Sequence, residues 1–195
     1  MNRKVTLKEL FNIASNSREA IWNIAQEYGR EPKIYLHWSA GHYHSFFSDY
    51  HINIDSDGSI YVSTTDFSKI LAHTYRRNSG AIGISLACCY GGTSSDLGNE
   101  PPTKEQIESM SRCIAVVAKA LWLTVRINNV MTHGEAADNL DGWYAHEPYG
   151  PATTCERWDL AILENGDVWN SGGDTLRGKA VWYQKNYPDG VENHF

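Results

Sequence analysis

The sequence predicts an α/β domain, because strand-like apolar runs alternate with segments of helical periodicity along most of its 195 residues. Two buried strands are predicted at residues 34–38 and 81–88, where apolar side chains follow one another with little interruption. A long helix is predicted at residues 103–121, where apolar residues recur at three- and four-residue spacing. A chain of this length can build one domain with a full hydrophobic core.

Local signals predict where the helices begin and end. Thr6 with Glu9 forms the pattern of a capping box, and the apolar stripe that follows ends at Gly29. Pro32 prevents this first helix from continuing. Thr103, with a glutamine three residues later, predicts a second capping box at the start of the long helix.

The remaining strands are short. Residues 50–54 alternate as a strand, and the Asp- and Gly-containing turn at 55–58 leads into a second strand at 59–62, which predicts a hairpin. Residues 129–132 form another predicted strand. The polar, Gly- and aromatic-rich stretch 138–154 is expected to be a long loop, and loops of that length in compact domains are usually functional.

We expect three parts in the chain: an N-terminal helical segment (1–32) that packs on the domain, the main domain (33–163), and a C-terminal extension of the same domain (164–195). The net charge of −6 argues against a nucleic-acid partner. The first ten residues lack the apolar region of a signal peptide, and no apolar run reaches transmembrane length. The expectation is a monomer made in the cytoplasm, without a membrane partner.

The four cysteines show no C-x-x-C spacing, which favours free thiols in a reducing compartment. Cys88 and Cys89 are adjacent in a strand-like run, so we expect their side chains to face opposite ways and not to pair. Cys113 lies in a helical pattern and is expected to be a small core residue. Cys155 is the one cysteine near a candidate site.

Three potential metal ligands lie at the edges of apolar stretches. His37 is near the end of the strand at 34–38, His133 follows the strand at 129–132, and Asp159 lies in a later apolar stretch. Two histidines and a carboxylate, with a fourth position left open, form a standard catalytic zinc set. A single histidine at such a place is usually structural, but three such groups leave a metal site and a structural role as equal alternatives.

Several short motifs occur in a fixed order. They are His37 at a strand end, Tyr50-His51, the Asp57-Gly58 turn, Ile82-Gly83-Ile84, Thr132-His133 with Glu135, and Arg157 with Asp159. This order resembles the zinc-dependent N-acetylmuramoyl-L-alanine amidases, a group that includes phage lysozyme-type amidases and the peptidoglycan recognition proteins. The resemblance covers roughly two thirds of the chain and implies a mixed central sheet flanked by helices.

The resemblance implies a ligand set for Zn²⁺. His37 and His133 match the two histidine ligands of the family, and Asp159 matches the third, which is Asp in some members and Cys in others. Cys155 stays open as the alternative third ligand, because a thiolate is also a good zinc donor.

Further roles follow from the same comparison of motifs. Tyr50 and Arg157 match residues near the reacting carbonyl, and His73 and Asn78 fall in a segment that often touches the glycan or peptide. Glu135 is a candidate general base.

The general base is not settled by the motifs. Ser85 stands where some bacterial members carry a catalytic glutamate, which leaves Glu135, Asp159 or Tyr50 for that role. Each assignment has a structural alternative: Tyr50 as a core residue, Glu135 as a helix cap or ion-pair partner, and Arg157 with Asp159 as a surface ion pair.

The resemblance implies an amidase that cleaves between N-acetylmuramic acid and L-alanine of peptidoglycan or muropeptides. We favour a phage-type lysin that acts on the wall after release from the producing cell. The alternatives are a metal-free peptidoglycan-binding module on the same fold and a zinc peptidase that cuts the stem peptide.

Overall fold

The computed structural model describes residues 2–93, 95–142 and 159–195, and within them it shows a six-stranded sheet. The strands are β1 (Arg3–Val5), β2 (Lys33–Trp38), β3 (Ile52–Ile54), β4 (Ile60–Val62), β5 (Ala81–Leu86) and β6 (Val130–Thr132). Their order across the sheet is β1-β4-β3-β5-β2-β6. The last four in this order are parallel, whereas β4 and β1 pair antiparallel. The prediction of a mixed central sheet flanked by helices is confirmed.

Four α-helices accompany the sheet in the described residues. They are α1 (Leu7–Glu27), α2 (Lys104–Leu121), α3 (His133–Ala137) and α4 (Ser171–Asn186), followed by a 3₁₀ turn at Val191–Asn193. Both predicted capping boxes are confirmed: the Thr6 and Thr103 hydroxyls accept backbone N–H groups of α1 and α2, and the reciprocal side chains cap in return.

The two six-residue strands, β2 and β5, divide their side chains between the two faces of the sheet. Alternate residues of β2 and β5, beginning with Ile34 and Ile82, belong to the main hydrophobic core that α1, α2 and α4 complete. The intervening positions, which include Tyr35 and His37 in β2 and Ser85 in β5, therefore point to the opposite face. The candidate site lies on that second face.

The predicted hairpin is confirmed, since β3 and β4 pair antiparallel around a turn with Gly58 at φ +81°. Its first strand is shorter than expected: β3 begins at Ile52, and Tyr50 lies in the bend before it. The chain also opens with a strand, β1, that the sequence analysis missed. Two of its three residues are exposed and charged, so it carries almost no hydrophobic pattern.

The prediction that Cys88 and Cys89 face opposite ways is wrong. Strand β5 ends at Leu86, and Cys89 adopts a left-handed backbone conformation with φ +65°. This conformation breaks the alternation of a strand and brings the two sulfur atoms to 3.6 Å. Both thiols are free, as expected, and Cys113 is a buried core residue.

The segment after Asp159 packs along the helical layer through α4. Lys179 and Tyr183 bind the Glu108 carboxylate of α2, and Gln184 donates to the Ala115 carbonyl. None of the helices in the described ranges is long and apolar enough to cross a lipid bilayer.

Candidate metal centre and active site

The structure brings together the three predicted ligands from separate parts of the chain. His37, His133 and Asp159 each offer one donor atom, and these atoms lie within 4.8 Å of one another. The Asp159 Oδ2 atom is 3.0 Å from His37 Nδ1 and 3.3 Å from His133 Nδ1. All three side chains are buried. Asp159 is thus not part of a surface ion pair, which was its structural alternative.

The position of His37 is set by β2, an inner strand of the sheet. It lies in β2 opposite Ser85 of the neighbouring strand β5 and is fully buried. Its second ring nitrogen, Nε2, is 3.3 Å from the Thr74 hydroxyl, so Nδ1 is left to face Asp159. A partner on the outer nitrogen fixes the orientation of a metal-binding imidazole.

His133 owes its position to the start of α3. The helix begins at His133, directly after β6, and Thr132 is its N-cap residue. The Thr132 hydroxyl accepts from the Glu135 backbone N–H, while the Glu135 carboxylate accepts from the Thr132 N–H. This third capping box fixes the first turn, and with it the direction of the His133 side chain.

The protonation states of His37 and Asp159 suit a cation. Burial lowers the pKa of His37 to about 4, although its hydrogen bond with Asp159 opposes this shift. Burial disfavours ionisation of Asp159, but the hydrogen bonds from His133 and His37 hold its pKa below the ordinary value. A neutral imidazole at His37 and a carboxylate at Asp159 are the forms that bind a metal ion. The donor set therefore fits a divalent metal.

Tyr50 lies beside the three ligands and is only half-buried. Its ring centroid is 5.1 Å from that of His37. Burial and the charge of Asp159 raise the pKa of Tyr50 above the ordinary value, so its hydroxyl stays neutral. The structural alternative for Tyr50 was a core residue, but Tyr50 does not belong to the main hydrophobic core.

His73 also packs against His37, with 5.4 Å between the ring centroids. Its Nδ1 atom is 3.0 Å from the Thr74 hydroxyl, so that hydroxyl links the two imidazoles. The His73 Nε2 atom is buried and has no hydrogen-bond partner among the described residues. Burial lowers the pKa of His73 well below its ordinary value, so the ring is neutral.

Glycine at position 83 makes room for His73. A Cβ atom at Gly83 would lie less than 3.0 Å from carbon atoms of the His73 ring. His73 lies on the loop between β4 and β5. In that loop, the Asn78 side-chain oxygen accepts from the backbone N–H groups of His73 and Thr74. Asn78 thus holds the loop that carries His73.

The Glu135 carboxylate faces α4. Its two oxygens are 2.7 and 2.8 Å from the two Arg177 Nη atoms, and one of them also accepts the Thr132 N–H. The structural alternative for Glu135, a cap and ion-pair partner, is therefore what the structure shows. Sequence reasoning missed Arg177, because its partner lies 42 residues away. It also missed Thr74, which carries no family motif.

The other histidines of the described residues have partners of their own. His42 and His44 lie on the loop after β2 and bind the carboxylates of Glu100 and Asp55. His51 is buried and structural, because its ring accepts from the Gly83 N–H and donates to the Lys69 carbonyl. The predictions for Arg157 and Cys155, and most of the predicted loop 138–154, lie outside the described residues.

Comparison with known proteins places this geometry in a family. No curated protein matches the chain at a significant level. A solved structure with distant similarity is the endolysin N-acetylmuramoyl-L-alanine amidase LysCS from Clostridium intestinale, with a TM-score of 0.39 and 16% identity over 64% of this chain and 80% of that one. The model of the N-acetylmuramoyl-L-alanine amidase family matches residues 15–170, which is more than half of the sequence. The chain therefore belongs to the N-acetylmuramoyl-L-alanine amidase family.

Proposed function

We propose that the chain is a zinc amidase that hydrolyses the amide bond between the lactyl group of N-acetylmuramic acid and L-alanine of the stem peptide. The family supports the reaction and the peptidoglycan substrate. The observation that carries the zinc site is the convergence of His37, His133 and Asp159 within 4.8 Å. Two nitrogen donors and one carboxylate, with a further position open, match the ligand sets of catalytic zinc.

Zinc bound by these residues would supply a water of lowered pKa, about 7 in comparable enzymes, and would polarise the scissile carbonyl. Thr74 supports this site by holding the Nε2 atom of His37. The buried setting keeps bulk water away from the ligands, which strengthens electrostatic interactions there.

Tyr50 is proposed as the hydrogen-bond donor to the oxyanion that develops on the scissile carbonyl. Its raised pKa keeps the proton on the hydroxyl, and its ring lies next to His37. Arg157 is proposed to hydrogen-bond the same oxyanion, because its place in the order of motifs matches a family residue near the reacting carbonyl. A preorganised donor of this kind contributes about 2.7–4 kcal/mol to transition-state stabilisation.

His73 is proposed as a substrate contact, because its Nε2 atom is buried beside the ligands without a partner among the described residues. For Asn78 and Glu135 we propose positioning roles in place of the predicted substrate-binding and catalytic ones. Asn78 holds the backbone of the His73 loop, and both Glu135 oxygens are engaged by Arg177. Because Tyr50 keeps its proton, Asp159 remains as the candidate base.

We further propose the setting predicted from the sequence: a monomeric phage-type lysin, made in the cytoplasm, that reaches the wall after release. Turbidity clearing of wall suspensions by purified protein tests this setting, together with sedimentation for the oligomeric state.

Product analysis tests the reaction itself. Peptidoglycan digested by the zinc-loaded protein should gain free L-alanine amino groups without new reducing sugar ends, and a chelator should stop the reaction. Cleavage within the stem peptide would identify a peptidase instead. Binding to wall fragments without any product would identify a metal-independent binding module.

A further inference from the structure

The start of α4 touches two chain segments that carry proposed metal ligands. Gly172 lies against Leu160, the residue after Asp159, and donates its N–H to the Ala161 carbonyl at 3.2 Å. A Cβ atom at Gly172 would lie less than 3.0 Å from the Leu160 carbonyl oxygen. At Gly173, a Cβ atom would lie less than 3.0 Å from both carboxylate oxygens of Glu135. Two consecutive glycines thus allow α4 to approach both segments closely.

One turn further along α4, Arg177 holds the other segment directly. Its Nη1 atom donates to Glu135 Oε2 at 2.7 Å and to the Val130 carbonyl at 3.0 Å. Its Nη2 atom donates to Glu135 Oε1 at 2.8 Å and to Asp174 at 2.6 Å. The Arg177 and Glu135 side chains are only 8% and 4% exposed. Arg177 and Glu135 thus form a buried, bidentate ion pair.

The ion pair reaches His133 through the capping box of α3. Glu135 Oε2, which binds Arg177, also accepts the Thr132 N–H at 2.9 Å. Thr132 immediately precedes His133, the first residue of α3. Any shift of the Glu135 carboxylate would therefore change the turn from which the His133 ring projects. On the other segment, Leu160 has a left-handed backbone with φ +58°, a strained conformation that persists only where the surrounding structure enforces it. Gly172 of α4 lies against the Leu160 carbonyl group and so helps to enforce it.

We propose that the first two turns of α4 position His133 and Asp159 for metal binding, with Gly173 and Arg177 as positioning residues. The proposal rests on the zinc site proposed above. The family match ends at residue 170, and α4 begins at Ser171, so the matched span does not include this helix. A buried ion pair is weak evidence for stability alone, but it can fix one geometry among several.

Two glycine variants in the same helix test the proposal. Gly173→Ala places a methyl group against the Glu135 carboxylate, whereas a Cβ atom at Gly178 meets nothing within 4 Å. Zinc affinity is measured by competition with a chromogenic chelator, and the ligand geometry by the visible absorption of the cobalt-substituted protein. Gly173→Ala should lose about 10–100-fold in zinc affinity and show an altered cobalt spectrum, as outer-shell changes do. Gly178→Ala should match the wild type in both.

Circular dichroism and thermal unfolding verify that both variants are folded. Folded Gly173→Ala with wild-type zinc affinity and cobalt spectrum would overturn the proposal. If the wild type itself binds no zinc, the proposed metal site fails instead, so the two failures are distinguishable.

Variants of Arg177 test the ion pair separately. Arg177→Met leaves a buried carboxylate without its partner and could unfold the protein, so it is paired with the double variant Arg177→Met/Glu135→Gln. The glutamine retains a capping oxygen and removes the buried charge. The double variant should fold and still bind zinc more weakly than the wild type. Wild-type zinc affinity in the folded double variant would show that the ion pair does not position the ligands.

Discussion

The two faces of strands β2 and β5 differ in what their side chains do. On one face, Ile34 and Leu36 of β2 pack with the corresponding residues of β5 into the main core. On the other, His37 pairs in register with Ser85 and lies beside the rings of Tyr50 and His73. The same strands therefore supply hydrophobic stabilisation on one side and a rigid support for chemistry on the other. Changes on the first face should affect mainly stability, and changes on the second mainly metal binding and turnover.

Neighbouring positions 36 and 37 provide the largest expected contrast. His37→Ala removes a proposed ligand, so zinc binding and amidase activity should fall to background. Leu36→Ala should cost about 2–5 kcal/mol of unfolding free energy, because it empties a buried site. Its folded fraction should still bind zinc. Chemical denaturation and zinc analysis measure the two effects, and zinc retention by His37→Ala would break the contrast between the faces.

Tyr50→Phe sharpens the contrast within the second face by removing a hydroxyl and keeping the ring. We expect kcat and kcat/KM to fall together by roughly 10²–10³, because the oxyanion donor acts only in the transition state. Zinc content should stay at the wild-type level. Steady-state kinetics on a soluble muropeptide provide the measurement, and wild-type turnover would show that the hydroxyl has no catalytic role.

Thr74→Val gives a smaller effect, because the residue acts on His37 without being a proposed ligand. Loss of the hydroxyl leaves the ring nitrogen of His37 without its partner and should weaken zinc binding by about 10-fold, the lower end for outer-shell changes. Thr65→Val, at an exposed position, is the control. Chelator competition compares the two; equal affinities would mean that Thr74 does not orient His37.

The sequence predicted the apolar face better than the site face. Continuous apolar runs identified β2 and β5, because these strands are buried along their whole length. The order of motifs identified His37, His133 and Asp159 as a group, which the structure brings together. Both results depend on patterns that are local or ordered along the chain.

Contacts between distant residues escaped the same reasoning. Arg177 meets Glu135 across 42 residues, and nothing near either residue indicates the pair. The proximity of the Cys88 and Cys89 thiols depends on a single left-handed residue beyond the end of β5. Edge strand β1 has a length of three residues and two exposed charges, so hydrophobic pattern could not reveal it.

The central claim is that His37, His133 and Asp159 together bind one zinc ion. Anomalous X-ray diffraction at the zinc absorption edge, on crystals of the zinc-loaded protein, tests it most directly. We predict one strong anomalous peak per chain, within coordination distance of one donor atom from each of the three residues. A zinc peak coordinated by Cys155 in place of Asp159, or a peak that lies away from His37 and His133, would contradict the account.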